Sequence, residues 1–503
     1  MTPETHRRRW NQPTDVDVRP LHNIPQRLLL TRCNVGQVMS IDMLPDDVLL
    51  EIFDFFVIQV YTAKYETEKW QTLVHVCRRW RSLVFGSPRR LNLRLFCSDR
   101  TPARDTLDVW PALPLFIQRL GGAGSVYDIV AVLERGNRVY NIGLFNLKRS
   151  DLEIFSAAMQ VPFPDLTDLG LSSNGETMSA LPDSFLGGSA PRLRRLQLEG
   201  IPFPGLPKLL LFATQLVSFH LDNIPHSGYF PPEAIVTALS TLTRLEHLLL
   251  FFESPQSRPD PAHQRPPPPT RSVLPNLAVF EFKGDSEYVE VVMAHIDAPR
   301  LYGLYTILFN DIVFDTPQLT QFIGRTPIMQ ALEKANVTFD GDAAAVKLSS
   351  LEPGRLDARY ERLKVKIPCR ELDWQVLSME QICASCLPPL PTLDLHIDEN
   401  PHYRQHWQGN VDNALWLQLL QPFTSVKNLY LSEEIARRIV PALQELVGDR
   451  ATEVLPSLEN IFLEEGQQSG PVQEGIQQVV AVRQATNHPI AVSYQEKLQF
   501  CPP

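Results

Sequence analysis

The chain has 503 residues, a formal net charge of −10 at pH 7, 44% hydrophobic and 21% charged residues. The length exceeds one ordinary domain, and the composition is that of a globular protein. An acidic balance argues against nucleic acid, which wants a basic face, and no apolar run reaches the ~18 residues of a membrane span.

Residues 1–38 read as a disordered leader, with Pro3, Pro13, Pro20 and Pro25 among polar neighbours. Arg7-Arg8-Arg9 has no apolar stretch behind it, so it is not a secretory signal. Seven scattered cysteines, an odd number, suit a reducing compartment. The expected location is therefore cytoplasmic, nuclear or both.

The stretch Ile41 to Leu95 organises the chain. Pro45 suits a helix start, and Asp46 and Asp47 follow where the helix dipole favours negative charge. On a helical wheel Val48, Leu49, Ile52, Phe53, Phe55 and Phe56 cover an arc of roughly 160°, wider than the stripe a surface helix needs. Half of that arc can face its own bundle and half a partner. Trp70, Leu73, Val74, Val76, Cys77, Trp80, Leu83 and Val84 fall on about half of a second wheel. A module of roughly 50 residues is marginal alone and gains from a partner.

Leu44-Pro45-Asp46-Asp47-Val48-Leu49-Leu50-Glu51-Ile52-Phe53, then Val76-Cys77-Arg78-Arg79-Trp80-Arg81-Ser82-Leu83, resembles an F-box of the type abundant in mushroom-forming fungi. The resemblance covers 39–97. It departs at Val57 to Lys69, a longer link than many F-boxes have. It implies a trihelical module that docks on a Skp-type adaptor and, through it, on a cullin. The implied adaptor-binding residues are Leu44, Pro45, Val48, Leu49, Ile52 and Phe53, framed by Val76, Cys77 and Trp80.

Residues 98–137 read as a connector, with a short helix predicted within Trp110 to Leu120. From 138 to 466 an apolar-x-x-apolar-x-apolar pattern recurs. Clear copies start at Leu166, Leu193, Leu245, Leu277, Val426 and Leu458; weaker ones start near Leu216, Leu301, Leu332, Leu363 and Leu393. Spacings of about 23–34 residues bracket the leucine-rich-repeat range. Each copy supplies a short strand with inward leucines, and stacked copies bury what one cannot. The copies resemble the leucine-rich repeats found downstream of F-boxes, although they lack the Asn or Cys that regular repeats place after the strand. The proline-rich segment 253–275 interrupts them as a disordered loop. Residues 467–503 read as a C-terminal cap and tail, helical over Ile476 to Thr486.

The fold class is thus α/β: a trihelical F-box followed by an irregular leucine-rich-repeat solenoid, a curved parallel sheet with helices or turns on its convex side. Alternation places Gln197, His220, Leu249, Glu281, Tyr305, Tyr430 and Phe462 among the concave residues. Leu249, Phe251, Tyr305 and Ile307 form the apolar candidate for target binding. A one-residue slip would make them core instead.

Cys383, Cys386, His402 and His406 have a zinc-like spacing, but prolines between them oppose the helix a finger needs. No phosphate loop, nucleophile elbow or H-E-x-x-H sequence appears. No catalytic residue, metal or cofactor is assigned. The expected function is non-catalytic: the substrate receptor of a Skp–cullin–F-box ubiquitin ligase, holding a protein target of unknown identity. The alternative is a repeat scaffold whose F-box acts outside ubiquitin transfer.

Overall fold

The computed structural model describes residues 41–58, 69–98, 107–119, 126–255, 271–309, 316–350, 361–386, 392–399, 411–464 and 470–495. The leader, residues 256–270 of the proline-rich segment, and both His402 and His406 lie outside them. The chain divides into two compact units, 1–91 and 92–503.

The first unit holds α1 (Asp46–Ile58), α2 (Lys69–Val76) and α3 (Arg78–Gly86). Leu49, Leu50 and Phe53 of α1 are buried, as are Trp70, Leu73 and Val74 of α2 and Val84 of α3. The Phe53 and Trp80 rings lie 4.7 Å apart. Arg79 reaches back to the start of α1, donating to the Leu44 carbonyl at 2.6 Å and to Asp46 Oδ1 at 2.5 Å. The wheel drawn through 70–84 breaks at Cys77, whose backbone is extended (φ −156, ψ 170). Its Sγ accepts from the Trp80 N–H at 3.5 Å, so Cys77 caps α3.

Among the described residues the second unit is built on one sixteen-stranded sheet. Its first half contains β1 (Leu95–Ser98), β2 (Leu115–Arg119), β3 (Val139–Leu147), β4 (Asp168–Ser173), β5 (Arg195–Glu199), β6 (Ser218–Ile224) and β7 (His247–Phe252). A separate two-stranded sheet pairs β8 (Ser272–Val273) with β10 (Ile296–Asp297). The large sheet continues through β9 (Val279–Gly284), β11 (Gly303–Leu308), β12 (Lys334–Phe339), β13 (Ala343–Ser349) and β14 (Leu363–Pro368). It ends with β15 (Asp394–Glu399), β16 (Asn428–Leu431), β17 (Asn460–Glu464) and β18 (Ala491–Gln495). Strand order follows the chain except that β14, β13 and β12 stand in reverse between β11 and β15. Pairing is parallel except at β13, which runs antiparallel to both its neighbours.

Alternation explains the core. Leu196 and Leu198, Phe219 and Leu221, Leu248 and Leu250, and Phe280 and Phe282 are buried on one face, while the residues between them are half-buried or exposed. Each such side chain contributes about 1.5–3 kcal/mol when removed from water. Helices connect the parallel strands, among them Arg149–Ala158, Pro232–Leu239, Ser286–His295 and Glu433–Gln444.

Three expectations change. The connector drawn at 98–137 is part of the sheet unit, because Leu95–Ser98 pairs with Leu115–Arg119 and that strand pairs with Val139–Leu147. The helix predicted near Pro114 is a strand: Leu115, Ile117 and Arg119 are buried, Phe116 is half-buried and Gln118 exposed, a period of two. Asparagine also has a structural place in the repeated pattern. Asn146 and Asn223 (φ 57 and 50) end β3 and β6 in the left-handed region, and Gly200 (φ 64) follows β5. Each lies two residues past an inward leucine, Leu144, Leu221 and Leu198, and Asn146 and Asn223 fall inside their strands rather than after them.

Gly284 shows how tight the core is. A Cβ there would lie 2.7 Å from the Phe282 ring and 2.9 Å from the Phe252 ring. Both rings are locked against Tyr288, with centroids 5.8 and 4.9 Å away. Gly284→Ala is expected to destabilise this unit by about 1–3 kcal/mol through overpacking. Urea denaturation checks it; an unchanged midpoint would contradict the crowding.

Candidate interaction surfaces

Helix α1 has two apolar faces. Leu49 and Phe53 have no exposed surface, so they build the unit's interior and do not present themselves to a partner. This corrects their place among the adaptor-binding residues. A wheel cannot divide a wide arc until the packing of α2 and α3 is known. On the outer stripe Val48, Ile52 and Phe56 are about two-fifths exposed and Phe55 is 65% exposed. Ile41, Met43 and Val76 add further exposed apolar surface. Pro45 is exposed, whereas Leu44, Cys77 and Trp80 are half-buried. Phe55 and Phe56 lie on the predicted arc, outside the set of residues that the F-box resemblance implies. Ile41 and Met43 precede the helix, where wheel periodicity says nothing.

In the second unit the register carries rows of side chains across the open face of the sheet. One row runs Gln197, His220, Leu249, Glu281, Tyr305, Lys364. The next runs Phe251, Lys283, Ile307, Lys366. Leu249, Phe251, Tyr305 and Ile307 therefore share a face, and all four are half-buried. They do not form one apolar patch: Glu281 separates Leu249 from Tyr305, and Lys283 separates Phe251 from Ile307. The Tyr305 hydroxyl donates to the Glu361 carbonyl at 2.6 Å. Burial, then the nearby Glu281 charge, pushes that hydroxyl up to about 12.

Farther along the face, three rings stand in register on neighbouring strands. His396 stacks on Tyr430 with centroids 4.0 Å apart, and Tyr430 on Phe462 at 4.4 Å. Burial, then Lys334, pulls the His396 imidazole down to about 3, so the stack is uncharged at neutral pH. Beside it runs an amide ladder: Asn460 donates to Asn428 Oδ1 at 2.8 Å, and Asn428 to Asp394 Oδ1 at 2.7 Å. Tyr430 and Phe462 were legible as open-face positions. His396 lies in the weaker copy near Leu393, where alternation gives it the same open-face position as Tyr430.

Two residues past the stack lie carboxylates. Asp398 accepts from Asn336 Nδ2 at 3.3 Å. Burial, then the Glu464 charge, pushes Asp398 up to about 6, while the Asn336 hydrogen bond, then Lys334 and Lys347, act in the opposite sense.

Cys383 is fully buried in the helix Leu372–Cys386. Among the described residues no group of three or more His, Cys, Asp or Glu is placed to hold a metal ion. Among the same residues no helix is long and apolar enough to cross a membrane. In comparison with known proteins, the chain matches no family model and no curated protein.

Proposed function

We propose that this chain is the substrate receptor of a Skp–cullin–F-box ubiquitin ligase. The N-terminal unit is the F-box and docks on a Skp-type adaptor, which brings a cullin. The second unit is an irregular leucine-rich-repeat solenoid whose open face holds a protein target. The chain itself is non-catalytic and uses no cofactor; its contribution is effective concentration, from tethering the target near the charged enzyme. The observation that carries the reading is the outer stripe of α1, where Val48, Ile52, Phe55 and Phe56 leave apolar surface exposed on a helix already anchored by Leu49 and Phe53. A solvated helix has no use for a second apolar face.

The test is co-expression with a Skp-type adaptor. The full chain is expected to co-purify with it. Ile52→Asp, exposed and outside the unit's interior, is expected to lower affinity by roughly 100-fold or more, because it places a charge in an apolar contact. Failure of the unmutated chain to bind would overturn the reading and leave the non-enzymatic repeat scaffold.

A further inference from the structure

Among the described residues, the ring row on β15, β16 and β17 ends in a group of acceptors that outnumber the donors facing them. Asp398 and Glu464 lie two residues beyond His396 and Phe462 respectively, on the same face as the rings. Between their strands, Ser432 follows β16 with its hydroxyl buried and without a hydrogen-bond partner among the described residues. The buried Oδ1 of Asn336 likewise finds no donor there. Two cations are near Asp398, Lys334 and Lys347, and Lys347 is already held by Glu361 at 2.6 Å. Register sets Asp398, Ser432 and Glu464 each one residue past the paired row Ile397, Leu431 and Leu463, so the two carboxylates flank Ser432, with Asp398 largely withdrawn from water. Such an arrangement costs stability unless a cation joins it.

We propose that this corner binds an arginine side chain from an extended, basic segment of a partner protein. The guanidinium lies between Asp398 and Glu464 above Ser432, and the segment runs across the Tyr430 and Phe462 rings. Arginine fits because its planar fork offers five donors to several acceptors and its apolar stem and flat head pack well on aromatic rings. Charge complementarity selects this occupant. An acidic segment would meet two carboxylates, and a nucleic-acid strand would bring phosphates to the same place.

The inference goes beyond the ligase reading by naming the class of target. Peptide binding to the full chain without adaptor tests it separately, so either reading can fail alone. The probe is a fluorescein-labelled Gly-Ser-Arg-Gly-Arg-Ser-Gly peptide, followed by fluorescence anisotropy. Its counterparts carry citrulline or glutamate in place of arginine, and an oligothymidylate serves as the nucleic-acid competitor. The arginine peptide is expected to bind at least about tenfold more tightly than the citrulline one. The near-isosteric double variant Asp398→Asn/Glu464→Gln should lose at least about tenfold in affinity. The control Glu246→Gln/Glu474→Gln removes the same charge from exposed positions elsewhere on this unit and should change affinity less than about twofold. Equal binding of the citrulline peptide, equal loss in the control, or tighter binding of the glutamate peptide or the oligonucleotide would overturn the proposal. Thermal unfolding of both double variants confirms that they remain folded.

Discussion

Asp151→Ala will cost the sheet unit about 3–5 kcal/mol, whereas the double variant Arg119→Met/Asp151→Leu will keep most of its stability. Arg119 ends β2 with its side chain only 5% exposed, and Asp151 sits in the first turn of the helix Arg149–Ala158 at 14%. Arg119 Nη1 donates to Asp151 Oδ2 at 2.8 Å. The guanidinium also lies 5.7 Å from the centre of the Phe155 ring. Desolvating two such charges costs nearly what their attraction returns, so the intact pair adds little net stability. Removing only the carboxylate is different. It leaves a guanidinium that cannot deprotonate, in a largely buried position that has lost the Asp151 carboxylate. The double variant removes both charges and keeps comparable volume, so packing replaces Coulomb attraction. Urea unfolding followed by far-UV circular dichroism separates the cases. A single variant that loses under about 1 kcal/mol would mean that water reaches the guanidinium and the site is not dry.

The pair also illustrates what the sequence could and could not tell. Leucines and phenylalanines at fixed offsets made the strands legible, since Leu196, Leu198, Phe219 and Leu221 must all turn to one side of a period-two chain. Arg119 broke that pattern. A charged residue at an inward position looks like a connector until its partner, far along the chain, is seen beside it. The antiparallel strand β13 escaped for another reason. Its run Ala343-Ala344-Ala345-Val346 has no leucine signature, and it pairs with β12 through a tight turn in which the Asp340 N–H donates to the Ala343 carbonyl. In α1 the arc was legible, but its division into Leu49 and Phe53 within and Ile52 and Phe55 without depends on where neighbouring helices pack. The ring row needed register. Tyr430 and Phe462 follow from alternation, yet only pairing places His396 against them.

Asp398→Asn is expected to stabilise the protein at neutral pH, with an effect that disappears in acid. The carboxyl stands near 3.8 in an unfolded chain and is raised to about 6 in the fold, first by burial and then by Glu464. A carboxyl raised in the fold favours folding through its protonated form. Its contribution is present below the unfolded value and is lost as pH climbs through the folded one. At about 1.4 kcal/mol per pH unit, the penalty at pH 7 is about 3 kcal/mol. Asparagine cannot ionise, and its amide oxygen can still accept from Asn336. The difference in unfolding free energy between variant and parent should therefore be near zero around pH 4, grow between about 4 and 6, and level off by pH 7. Comparing the two chains at each pH cancels the titration of carboxylates elsewhere. A difference that does not vary with pH would show that Asp398 titrates normally and that Glu464 does not act on it.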